Sequence, residues 1–119
     1  MTFQDFHRLY IDASECDTAE LFMAECGGSA DFASPEDAVR ILTAIHTIVH
    51  GGGDFRAIAG ACGLSIRSLA LRLNIPERTA TCWTANSDSN HRTASPWALQ
   101  LIAYAAVNSM EADDAYAPL

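Results

Sequence analysis

Residues 63–83 read Gly63-Leu-Ser-Ile-Arg-Ser-Leu-Ala-Leu-Arg-Leu-Asn-Ile-Pro-Glu-Arg-Thr-Ala-Thr-Cys-Trp83. Ser65 is a capping residue, and the residues after it spell a helix over about 66–73. Asn74-Ile75-Pro76 makes a turn, and a second helix follows over about 77–85. Two short helices joined by a tight turn pack closely only if certain positions are apolar or small. Leu69, Leu73, Ile75, Ala80 and Trp83 fall where the shared core of such a pair must sit. Ala70 is small where the second helix crosses the first. Asn74 stands where the backbone needs φ > 0, a conformation that Gly or Asn tolerates. The combination predicts a helix-turn-helix unit with Trp83 largely buried.

The flanks read as helix in both directions. Asp54 caps a segment over about 55–62, stopped by Gly63. After the polar run Asn86-Ser-Asp-Ser-Asn90, Ser95-Pro96 opens a last helix to about residue 109, and 110–119 reads as a flexible tail. Upstream, Thr2 with Asp5 opens a helix over about 2–11. Asp17-Thr-Ala-Glu20 caps another, which carries Leu21, Phe22, Met23 and Ala24 and stops at Gly27-Gly28. Ser34-Pro35-Glu36-Asp37 is strong helix-start chemistry, with a capping hydroxyl, a first-turn proline and acids facing the helix dipole. Ile41, Ile45, Ile48 and Val49 then recur at the 3.6 period. Gly51-Gly52-Gly53 is the strongest break in the chain. No alternating strand pattern and no internal repeat occurs. The expectation is therefore an all-α chain: an acidic helical region over 1–50, with two or three helices, a helix-turn-helix domain over 54–109, and a tail over 110–119.

A chain of 119 residues with 50% hydrophobic content can bury a core without staples. No apolar run approaches the ~18–20 residues of a membrane span. The start, MTFQDFHRLY, lacks the basic and apolar segments of a signal peptide, so a cytoplasmic location is expected. Cys16, Cys26, Cys62 and Cys82 form no CxxC pair, and reduced, mostly buried thiols are expected there. The net charge of −8 hides an asymmetry. Residues 1–54 hold ten acids and two Arg, whereas residues 55–110 hold five Arg (Arg56, Arg67, Arg72, Arg78, Arg92) and two acids. A basic segment inside an acidic chain suits contact with an anion through one part only.

The stretch Gly63-Leu-Ser-Ile-Arg-Ser-Leu-Ala70, with Leu73-Asn-Ile-Pro-Glu-Arg-Thr79 and Trp83, resembles the Xre/lambda-repressor-like helix-turn-helix domain. It is close to a bacterial subgroup with I-P-x-R-T-x-x-x-W followed by R-T-P-P and L-I-x-Y. Here the second part reads Arg92-Thr-Ala-Ser-Pro-Trp-Ala-Leu-Gln-Leu-Ile-Ala-Tyr104. The resemblance covers about residues 54–106. It departs where Asn86 replaces a Gly and where Ala94 and Ser95 replace the two prolines, with Pro96 shifted one place along.

The resemblance implies that the helix over 77–85 lies in the major groove of DNA, with Glu77, Arg78, Thr81 and Cys82 toward the bases. Arg78 would grip guanine O6 and N7, and Glu77 would accept from cytosine N4. Ser65 and Arg67, at the start of the preceding helix, correspond to a phosphate-contacting position. Arg92, with His91, would reach a backbone phosphate or the minor groove. For each residue a purely structural role, as a surface pair or a cap, is the alternative.

Other constellations are weaker. His46 and His50 stand four apart, as metal ligands can, but no HExxH and no Cys pair accompanies them. A metal-binding sensor would need both and a Cys to converge. Gly51-Gly52-Gly53 lacks the Lys-Ser/Thr of a phosphate loop. No nucleophile–base arrangement can be argued from spacing, so neither an enzyme nor a cofactor is expected. The expected function is a small transcriptional regulator that binds double-stranded DNA as a homodimer, with residues 1–50 offering dimer or partner contacts. The alternative is an adaptor, antitoxin-like or phage-related, that keeps the fold without binding DNA.

Overall fold

The computed structural model describes residues 1–26, 32, 34–84 and 95–111. Among them seven α-helices follow one another with no strand: α1 (Phe3–Glu15), α2 (Ala19–Cys26), α3 (Pro35–His50), α4 (Phe55–Ala61), α5 (Ile66–Arg72), α6 (Glu77–Thr84) and α7 (Pro96–Glu111). The fold class is all-α, with three helices before Gly51. Side-chain caps start five of them. Thr2, Thr18, Ser34, Asp54 and Ser65 each accept the backbone N–H three residues on, which satisfies an otherwise orphaned donor.

Three successive helices end in one motif. After α3, α4 and α5 the chain turns through a left-handed residue: Gly52 (φ 100°), Gly63 (φ 69°) and Asn74 (φ 58°). In each case the next N–H returns to the carbonyl of the third-last helical residue: Gly53 to Ile48, Leu64 to Ala59, Ile75 to Ala70. These paired bonds close the last carbonyls and re-aim the chain sharply, so short helices fold back on one another. Gly53 (φ 70°) has a second constraint, since a Cβ there would lie 2.7 Å from the Tyr10 hydroxyl.

Two helices run past their expected ends. α1 continues from residue 11 to Glu15 because Ala13 is buried one turn after Leu9, and the backbone N–H of Cys16 closes on the Ala13 carbonyl. α7 continues past residue 109 because Met110 is buried, and Arg40 donates to its carbonyl at 3.1 Å. The stop expected at Gly27-Gly28, the Asn86–Asn90 loop and the tail after residue 111 lie outside the described residues.

α3 is the central strut, packed against α1, α2, α4 and α7. Ile41, Ile45 and Ile48 are wholly buried on it, so this stripe faces its own chain and offers no surface to a partner. One core cluster joins Phe6 and Leu9 of α1 and Phe22 of α2 to Phe55 and Ile58 of α4, Leu69 of α5 and Val107 of α7. The core thus crosses the glycine break. Each large side chain so buried contributes roughly 1.5–3 kcal/mol. An aromatic group of Phe3, Phe6, Tyr10 and Tyr104 ties α1 to α7, with the Phe3 and Tyr104 rings edge-on at 5.2 Å.

Candidate nucleic-acid interface

α5 and α6 are joined by the turn 73–76 and packed on α4. Leu69, Ala70 and Ala80 are fully buried in this unit. Leu73, Ile75 and Trp83 are only partly buried and lean against the core. Trp83, expected to be largely buried, packs against the core, with its indole 5.5 Å, tilted, from the buried ring of Phe55.

The remaining positions of α6 follow from that anchoring. With Ala80 inward and Trp83 held by Phe55, Glu77, Arg78 and Thr81 fall on the opposite side and are exposed. Cys82 is half-buried between the two faces. Arg78 makes no polar contact with a described residue and carries its charge into solvent.

Ser65 caps α5, accepting the Ser68 N–H at 3.0 Å and sharing a hydroxyl bond with Ser68 at 2.9 Å. Arg67 projects from the same turn, and its Nε lies 3.9 Å from Oε1 of Glu77. Both side chains are well exposed, so the pair is a weak, screened one. It brings the first turns of α5 and α6 to one place, with Arg78 next to Glu77 in sequence. Arg92 lies outside the described residues.

Arg56 has a role that no local pattern signals. Its guanidinium donates to the Thr84 carbonyl at 2.7 Å and caps the end of α6 from 28 residues away. A cation there also opposes the negative end of the helix dipole. Arg72 donates to the Ser109 hydroxyl at 3.4 Å and ties α5 to α7.

His46 and His50 do come together, but toward backbone. Their rings stack at 4.1 Å, and Nε2 of each is 2.9 Å from a carbonyl, Cys16 for His46 and Ala13 for His50. A carbonyl only accepts, so both Nε2 atoms carry hydrogen and donate. Among the described residues no group of three or more His, Cys, Asp or Glu side chains could hold a metal ion. Nearby, Cys16 donates to Glu25 and Cys26 to Asp12. Burial first, and then the Asp12 charge, push the Cys26 thiol up to about 11, and burial with the Glu25 bond raises Cys16. None of the described helices is long and apolar enough to cross a membrane.

Comparison of the chain with protein-family models, with curated proteins and with solved structures finds no match.

Proposed function

We propose that this protein is a sequence-specific DNA-binding protein, a small transcriptional regulator of bacterial or phage type, with α6 in the major groove. The observation that carries the reading is the division of α6 into two faces. Ala80 and Trp83 pin the inner face, while Glu77, Arg78 and Thr81 are presented together to solvent. A short helix held rigidly with a polar, arginine-bearing outer face suits direct readout of base edges. Ser65 and Arg67 stand at the start of the preceding helix, where backbone N–H groups and a cation suit phosphate. The net positive charge of residues 55–110 supports the same assignment within an otherwise acidic chain. Few arginines are available for phosphate contacts, so two copies on a two-fold site would supply the affinity that one lacks. A cytoplasmic location goes with this reading.

A second reading, an adaptor that does not bind DNA, is favoured by how the arginines are used. Arg56 is spent on the Thr84 carbonyl, and Arg67 faces a carboxylate. Selection of bound fragments from a random DNA pool, at low and moderate salt, separates the two. Enrichment of a short motif that persists at moderate salt supports the regulator. Recovery of unenriched DNA, lost as salt rises, supports the adaptor.

A further inference from the structure

We infer that Cys16 and Cys26 form a redox switch, two neighbouring thiols that join in a reversible disulfide and staple the end of α2 to the end of α1. Cys16 caps α1, and Cys26 is the last residue of α2. Each sulfur reaches the acid that accompanies the other cysteine. Cys16 donates to Oε2 of Glu25, the residue before Cys26, at 3.5 Å. Cys26 donates to Oδ2 of Asp12, four residues before Cys16, at 3.7 Å. These crossed bonds gather the two thiols at one place between α1 and α2. Burial and Asp12 raise the Cys26 thiol, and Cys16 adds to them, as a near neighbour does.

The backbone around the pair is held. His46 donates to the Cys16 carbonyl at 2.9 Å, and the fully buried ring of Phe22 anchors α2 beside His46. Cys16 is 3% exposed and Cys26 7% exposed. A small molecule joined to either sulfur has little room there, whereas the second thiol is already at hand.

The oxidant is a small-molecule disulfide, RS–SR. One cysteine loses its proton and attacks a sulfur of RS–SR, which forms a mixed disulfide and expels one RS⁻. The second cysteine loses its proton, attacks the protein sulfur of the mixed disulfide and expels the other RS⁻. The protein gives up two electrons and two protons, and RS–SR leaves as two RSH. The bonds to Glu25 and Asp12 exist only while both sulfurs carry hydrogen, so they favour the reduced form. The couple is therefore more oxidising than an ordinary structural disulfide, and it closes only under marked oxidation. The inference goes beyond DNA binding and does not depend on it.

The test equilibrates the full chain with rising proportions of oxidised to reduced glutathione, followed by acid quench. Cleavage after Glu20 separates the two cysteines, so only a disulfide keeps their peptides joined. The wild type should yield joined peptides two hydrogens lighter than the separate pair, in protein that keeps its helical circular dichroism, and dithiothreitol should reverse this. Cys16→Ser and Cys26→Ser should each yield none. Asp12→Asn with Glu25→Gln keeps both cysteines and weakens both acceptors, so half-oxidation should come at about a fivefold lower proportion of oxidised glutathione or less. Glutathione adducts alone, or untouched thiols, in the native wild type overturn the proposal. So does a link that forms in urea and not in the folded protein, or an unchanged midpoint in a folded Asp12→Asn/Glu25→Gln variant. Loss of helical structure in that variant moves the same comparison to Asp12→Asn and Glu25→Gln singly, where a midpoint unmoved in both overturns it.

Discussion

His46 and His50 stack at 4.1 Å on α3 and together hold the end of α1, each donating Nε2–H to a backbone carbonyl there, His46 to Cys16 and His50 to Ala13. The four-residue spacing that suits a metal here serves two carbonyls three residues apart at one helix end. Beside the Cys16 N–H that closes on Ala13, the imidazoles act as a borrowed cap and tie the end of α1 to the central strut.

Removing the buried member of this pair should be costly. His46→Ala leaves the Cys16 carbonyl without its donor and opens a cavity beside Phe22, at about 2–4 kcal/mol. His46→Phe keeps the ring but not the donor, so it should lose about 1–3 kcal/mol for the unpaired carbonyl alone. Urea unfolding of the two variants measures the difference. Equal stability of wild type and His46→Phe would remove the capping role.

The glycine turn gives a second expectation. Gly53→Ala meets both a positive φ and the Tyr10 hydroxyl, whereas Gly52→Ala meets a positive φ in open space. Gly53→Ala should therefore destabilise more than Gly52→Ala, which itself should cost about 1 kcal/mol or more. In a Tyr10→Phe background the excess at Gly53 should shrink, because the clashing atom is gone. A double-mutant cycle in thermal unfolding reads that coupling.

The thiol at the end of α2 predicts an alkaline loss of stability. Cys26 ionises near 9 when unfolded and is pushed up to about 11 in the fold. The folded state thus keeps a proton that the unfolded state releases. The contribution is complete below pH 9 and falls as pH rises from there to about 11. Cys26→Ala lacks the group, so its unfolding midpoint should fall less than that of wild type between pH 8.5 and about 11. Alkylation of the native protein near pH 8 should likewise reach half-buried Cys82 before Cys16 or Cys26.

On DNA, two arginines should give different signatures. Arg78→Ala should weaken binding to a selected site about 5–150-fold and relax preference at one base pair, by the usual worth of a bidentate guanine contact. Arg67→Ala should weaken selected and scrambled duplexes alike, because phosphate carries no base information. Titrations at one salt concentration separate them. An unchanged ratio of the two affinities in Arg78→Ala would take α6 out of base readout.

Much of the fold was legible because its signals are local. Thr2, Ser34, Asp54 and Ser65 mark helix starts through a bond spanning three residues, and Gly63 and Asn74 mark ends through one backbone angle. Such features need no knowledge of the rest of the chain. The outer face of α6 was legible for a related reason: once Ala80 and Trp83 point inward, the helical period leaves Glu77, Arg78 and Thr81 outward. How much of Trp83 stays exposed was not legible, because the depth of a side chain depends on what stands over it and not on its period.

By itself, then, the sequence determined an all-helical chain, the starts of its elements, their inward faces and the turn at Asn74, each set by interactions within a few residues. Tertiary structure alone decided which helices share a core. Ile41, Ile45 and Ile48 read equally well as a stripe for a partner or for the same chain, and they are buried against neighbours from both sides of the glycine break. It alone decided that Arg56 caps Thr84, that His46 and His50 cap α1, and that Trp97, unlike Trp83, stands mostly bare. Those outcomes join residues far apart in the chain, and no local period or cap encodes which distant group will be within reach once the core has closed.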